Sequence, residues 1–260
     1  MKTIVIANEK GGVAKSTTAG ALTTGLMLAG KRALLIDADI QGNLTKTFRA
    51  DTAGSNVMDL LKGTVTADKA IQATEQGDIV PSSRKLATAE LDLFYPNGQP
   101  ATAKERGTIP YRLKRALEQV SDQYDYCIID TPPTLGVITT NALTASNSVI
   151  IPCEAEEYSL EGLGELYKTI EAVRQKTNPG LQIEGLLIVR FDKRTTLSKQ
   201  LAETLVRASQ RLNTKVFGAP IRECIALKEA HSMKRDIYRY APRSNATADY
   251  KELVREILLE

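Results

Sequence analysis

The sequence predicts an α/β fold, a doubly wound and mainly parallel sheet with helices on both faces. Three observations carry this. Short apolar, β-branched runs alternate with longer amphipathic segments along the chain. Several runs are apolar on both faces, as a parallel strand covered by helices on either side must be. The segments between them repeat at helical spacing, so each run with its following segment reads as a right-handed βαβ unit.

The strand candidates are residues 3–7, 33–37, 78–81, 126–130, 148–152, 186–190 and 215–217. A helix is expected over 17–29. Leu160, Leu163, Leu166, Ile170 and Val173 form one apolar stripe, and Leu197, Leu201, Leu205, Ala208 and Leu212 another. Residues 95–107, rich in Pro and Gly, read as a surface loop and not as a linker. With 260 residues, no repeat and no low-complexity tract, one domain over 1–260 is expected.

Composition excludes several classes. Hydrophobic residues make up 42% and charged residues 25%, an ordinary globular balance. No run of 18 apolar residues offers a membrane span, and no basic segment precedes the first strand as in a signal peptide. Cys127, Cys153 and Cys224 are odd in number and far apart, which suits a reducing cytosol. His231 is the only histidine and reads as a surface or helix-end residue. With no CxxC, a zinc or iron–sulfur site built by one chain is disfavoured. The net charge of +3 is unevenly spread: residues 186–245 carry 13 Lys/Arg against 5 Asp/Glu. That region is either a solvated face or a polyanion-binding surface.

The chemistry is concentrated in three segments. Lys10, Gly11, Gly12, Val13, Ala14, Lys15, Ser16 and Thr17 follow the first strand and open a helix. A phosphate loop needs that context: small residues let backbone N–H groups turn inward, and the helix N-terminus adds partial positive charge. Lys15 would reach the β- and γ-phosphates, and the Ser16 hydroxyl would ligate Mg²⁺. The strict GxxxxGK pattern fails, because Glu9 and Ala14 stand at its glycine positions; taken alone, the stretch also fits a flexible turn. Asp37 and Asp39 end the second strand, where carboxylates either face such a loop or cap the next helix. Asp130 ends an apolar strand before Thr131, Pro132 and Pro133, placing one carboxylate at the same edge to hold Mg²⁺ directly or through water.

Together these residues resemble the ParA/MinD family of deviant Walker P-loop ATPases, over nearly the whole chain. The KGGxGK signature, the DxDxQGN segment (Asp37 to Asn43) and the DxPP segment (Asp130 to Pro133) carry the resemblance. Residues 151–163 and 239–244 resemble the ParA branch, in the short form without an N-terminal helix-turn-helix. The resemblance implies ATP and Mg²⁺ as cofactors and an ATP-sandwich homodimer in which Lys10 crosses to the partner's nucleotide. It implies that Asp39 orients the attacking water, that Asp37 supports it and the Mg²⁺ shell, and that Thr17 contacts the α-phosphate. Adenine would lie near Arg190 and Pro220. Non-specific double-stranded DNA and a ParB-like centromere-binding protein are the implied partners, in the cytoplasm at the nucleoid.

Two departures stand out. Relatives usually have Gly where this chain has Ala14, and often an Arg where it has Ala226. Candidate DNA contacts are therefore Arg207, Arg211, Arg222, Lys228, Lys234 and Arg235. Gln200, Thr204, Arg207 and Arg211 form a polar helical stripe that faces either DNA or only solvent. Phosphate contacts of this kind are sequence-independent and salt-sensitive. Three other readings compete. A MinD-like membrane ATPase would end in a basic amphipathic helix; residues 249–260 have an apolar stripe at Tyr250, Leu253, Val254, Ile257 and Leu258, but their polar face is mainly acidic. An iron–sulfur carrier lacks the cysteine spacing. A regulatory module without hydrolysis rests on Ala14 alone.

Overall fold

The structure, a computed structural model, describes residues 1–154, 159–192 and 194–259. The side chains of Leu160, Leu197 and Leu201, and the branch-like segment at 155–158, lie outside the described residues. The strands are β1 (Lys2–Ile6), β2 (Ala33–Asp37), β3 (Gln72–Thr74), β4 (Gly77–Val80), β5 (Tyr126–Asp130), β6 (Ser148–Glu154) and β7 (Gln182–Val189). The α-helices are α1 (Lys15–Leu28), α2 (Asn43–Thr47), α3 (Val57–Lys62), α4 (Ala67–Ala70), α5 (Ala89–Phe94), α6 (Ala103–Thr108), α7 (Arg112–Glu118), α8 (Val137–Ala145), α9 (Ser159–Lys176), α10 (Thr196–Arg211), α11 (Ile225–Ser232), α12 (Ile237–Tyr240) and α13 (Asn245–Leu258).

One sheet runs in the order β3-β4-β2-β5-β1-β6-β7, parallel except where β3 pairs antiparallel with β4. The doubly wound α/β fold read from the sequence is thus the observed one. Because side chains alternate along a strand, each central strand feeds two cores. Ile4 and Ile6 join Leu22, Leu26, Tyr250 and Leu253 on the α1–α13 side. Val5 joins Leu117, Leu143, Leu166 and Ile170 on the other. The expected α9 stripe is confirmed at Leu163, Leu166, Ile170 and Val173, all buried.

Three expectations need correction. Residues 215–217 form no strand, only a bridge from Val216 to Leu186. β3 was not foreseen: its residues are polar or small and half exposed, and its alternation spans only three positions. Residues 95–107 are not all loop, since they contain the start of α6, capped reciprocally by Thr102 and Glu105.

The C-terminal helix α13 buries Tyr250, Leu253, Val254 and Ile257 against its own core. Its apolar face is therefore occupied within the chain. No described helix is long and apolar enough to cross a membrane. The approach of α1 to α12 and α13 needs Gly25, where a Cβ would lie 2.6 Å from a Val254 methyl and closer still to the Tyr238 hydroxyl.

Candidate nucleotide-binding site

The site forms where three strands end together. Asp37 pairs in register with Asp130 across β2 and β5, and Asp130 with Ile6 across β5 and β1. Neighbouring strands lie about 4.8 Å apart, so two carboxylates stand side by side next to the point where β1 releases the chain into the phosphate loop. The Thr131 hydroxyl donates to the Ile6 carbonyl at 2.9 Å and ties these ends together. Ligands of open α/β sheets bind beyond this edge.

The loop then turns through Gly12 (φ 83°) and Ala14 (φ 54°) into α1. Ala14 is the N-cap residue, and no side chain caps the helix. Among the described residues the first-turn N–H groups of α1 thus gain no side-chain cap from Ala14, and this helix end favours an anion. Asn8, overlooked in the sequence, secures the entrance. Its amide donates to the Pro152 carbonyl at 2.7 Å, and its oxygen accepts from the Lys10 N–H at 2.9 Å.

Lys15 is buried, and its ammonium donates to the Lys10 carbonyl at 2.9 Å. Burial lowers its pKa, and the charges of Asp130 and Asp39 oppose the shift. Asp37 is fully buried, and one of its oxygens accepts from the Thr45 N–H and hydroxyl, both at 2.7 Å. Burial still raises its pKa to about 6. Asp130 is raised well above the usual carboxylate range, by burial and then by the Asp37 charge, with Ser16 and Lys15 opposing. Neither Asp130 oxygen has a partner of hydrogen-bonding geometry among the described residues. Asp39 faces the cleft, and its side chain accepts from the Gln41 N–H at 3.0 Å. The two readings of these aspartates thus coexist: Asp37 binds α2, and Asp39 shapes a local turn beside the loop.

Buried, uncompensated carboxylate oxygens beside a hydroxyl suit a hard divalent cation. Among the described residues no three His, Cys, Asp or Glu side chains are grouped to hold an ion by themselves. Mg²⁺ needs no such group, since it takes one or two carboxylates and completes its shell with water and phosphate. Asp130 and Ser16 fit as its protein ligands, with Asp39 nearby.

A cleft of about 980 Å³ opens over the loop. Gly11, Gly12, Ala14, Lys15, Ser16, Thr17 and Asp39 line it, and so do Arg190 and Arg222. Val13 does not line it, because its side chain is buried in the core. Pro220 stands off the cleft. The Ile221 N–H bonds the Ile188 carbonyl at 2.8 Å, which draws the residues after the proline, and not Pro220 itself, to the edge.

Lys10 lies outside the cleft lining and pairs with Glu154 at 3.3 Å. Glu154 also pairs with Arg190 at 2.7 Å. Glu154 closes β6 inside the segment 151–163, and its two cationic partners come from elements distant in sequence. Cys127 and Cys153 are buried, and burial pushes the Cys153 thiol up to about 12.

The basic candidates separate. Arg207 and Arg211 are exposed on α10, and the Arg207 guanidinium donates to Thr204 at 3.0 Å. Lys234 and Arg235 are exposed after α11, with Lys234 at φ 52°. Arg222 is turned inward, and both its Nε and its NH2 reach the Asp249 carboxylate. Lys228 lines the nucleotide cleft and pairs with Glu223 at 3.3 Å.

A parallel sheet delivering a phosphate loop, a buried lysine and strand-end aspartates to one edge defines a P-loop nucleotide site. Comparison with known proteins narrows the class. The AAA domain family matches residues 1–183. The sporulation initiation inhibitor protein Soj of Bacillus subtilis is 41% identical over 260 residues, covering 98% of both chains. The chromosome partitioning protein ParA of Caulobacter vibrioides is 37% identical, covering 99% of this chain and 94% of its own. A Mycobacterium smegmatis structure described as cobyrinic acid a,c-diamide synthase, with ADP and magnesium bound, superposes with a TM-score of 0.83. It is 32% identical and covers 99% of this chain and 94% of its own. The chain belongs to the AAA domain family and, within it, to the ParA-type P-loop ATPases.

Proposed function

We propose that the protein is a DNA-partitioning ATPase, in which ATP closes two protomers into a dimer that holds non-specific DNA and lets go on hydrolysis. The observation carrying the ATPase part is the buried Asp130 carboxylate beside Lys15 and Ser16, which meets no partner of good hydrogen-bonding geometry among the described residues, at the foot of α1. Likeness to partitioning proteins over the whole chain supports the partition role.

In this reading the backbone N–H groups from Gly11 to Thr17 cradle the phosphates, and Lys15 neutralises their charge. Bound Mg²⁺ supplies charge neutralisation at the transferred phosphoryl group. Asp130 and Ser16 hold it, Thr17 contacts the α-phosphate, and Asp39 orients the attacking water with support from Asp37. Lys10 leaves Glu154 and reaches the partner's nucleotide, where a second cation stabilises transfer as an arginine finger does. Turnover is slow until a ParB-like partner completes the site. Arg207, Arg211, Lys234 and Arg235 meet DNA phosphates, and pairing two such surfaces raises affinity steeply.

The test is binding to non-specific duplex DNA with ATP–Mg²⁺ and with ADP, at two salt concentrations. Salt-sensitive binding with ATP alone is expected. Binding in neither state, with anionic vesicles bound instead, overturns the proposal.

A further inference from the structure

The assignment of Arg190 and Pro220 leaves one wall of the cleft unexplained. Lys228 and His231 lie three residues apart on α11, so they share a helix face. Both line the same cleft as Gly11–Thr17. A second, smaller cavity meets this cleft at Ser16, Thr17, Asn43, Leu227 and His231. His231 therefore borders the cavity beside the first turn of α1, whose N-cap residue Ala14 supplies no side-chain acceptor.

The wall is anchored. Ala230, between the two residues, is buried in the second core. The root of α11 is fixed by the Arg222–Asp249 pair and by the Glu223 N–H bond to the Phe191 carbonyl at 3.3 Å. On its outer side, Glu229 accepts from the Tyr240 hydroxyl at 3.2 Å. Lys228 meanwhile pairs with Glu223, and both side chains are more than half exposed. Exposed pairs of this kind contribute little, so a phosphate carrying more charge displaces the carboxylate readily.

We propose that Lys228 and His231 are nucleotide-binding residues, donating to the oxygens of the α-phosphate side of a nucleoside di- or triphosphate. Glu223 holds Lys228 at the cleft and competes with the nucleotide for it. This inference rests on the ATPase reading above. It reassigns Lys228 from DNA contact to nucleotide contact.

The experiment is calorimetric titration of the full chain with ADP and with ATP in Mg²⁺, without DNA. Loss of two charge-assisted contacts in the Lys228→Ala/His231→Ala double variant is expected to weaken both nucleotides by about tenfold or more. The melting temperature should hold, because both side chains are exposed. Lys228→Arg should restore most of the lost affinity. Glu223→Gln, which releases Lys228, should tighten binding. A double variant that binds within twofold of the wild type, or a Glu223→Gln variant that binds more weakly, overturns the inference and leaves the ATPase reading standing. A wild-type chain that binds neither nucleotide overturns both.

Discussion

Replacing Ala14 by glycine should stabilise the nucleotide-free protein slightly, and the size of the effect follows from one dihedral. Ala14 sits at φ 54°, ψ 28° at the entrance to α1. A left-handed conformation costs an L-residue about 1–2 kcal/mol that glycine does not incur. Against this, glycine gives the unfolded chain about 0.4–1 kcal/mol of extra conformational entropy. The lost methyl packs only partly against the second core, so its burial offsets a fraction of about 0.8 kcal/mol. The balance is a gain of about 0.5 kcal/mol, or roughly 1–2 °C in melting temperature for a chain of this size. Ala14→Val sharpens the test, because a β-branched residue at positive φ is a severe outlier and should cost about 2 kcal/mol or more. Thermal melts by circular dichroism without nucleotide measure both. A glycine variant melting several degrees lower, or a valine variant melting like the wild type, would refute the strain argument.

Other expectations follow from the same geometry. Lys15→Ala should abolish nucleotide binding in a calorimetric titration, since it removes the buried ammonium whose charge faces Asp130 and Asp39. Asp39→Ala should bind ATP but release no phosphate, as a phosphate-release assay would show; undiminished turnover would remove Asp39 from the hydrolytic role. Asp37 holds a proton in the folded state to about pH 6, whereas the unfolded group, at about 3.9, has lost it. Stability of the nucleotide-free protein should therefore fall as pH rises from about 4 to about 6, with Asp130, whose pKa is also raised, adding to the fall; Asp37→Asn should reduce that slope in denaturant titrations across the window. Gly25→Ala should overpack the contact of α1 with Tyr238 and Val254 and cost about 1–3 kcal/mol, visible as a melting temperature several degrees lower.

The central strands and the phosphate loop could be read from the chain because their signals are contiguous. β2 and β5 occupy the residues read as 33–37 and 126–130, since an apolar run closed by an aspartate is a local pattern. The capping box at Thr102 and Glu105 is equally local, but the turn formers around it make residues 95–107 read as a loop. Strand 215–217 failed for the opposite reason. Its pattern suits a strand, but only Val216 finds a partner, so the sheet ends at β7.

Local pattern along the chain marks the residues that can bind phosphate and cation: the small-residue loop, Lys15, and the aspartates that close apolar strands. How they are charged and what surrounds them follows from packing between distant segments. Asp37 and Asp130 come into register only when β2 pairs with β5, and burial then raises both. Glu154 reaches Lys10 and Arg190 only because β6 lies between β1 and β7. Lys228 and His231 face the cleft only because the Ile221 and Arg222 contacts fold the chain back beside β7. Each is a contact between residues distant in sequence. Such contacts are set by strand order and packing, and no periodicity along the chain encodes them.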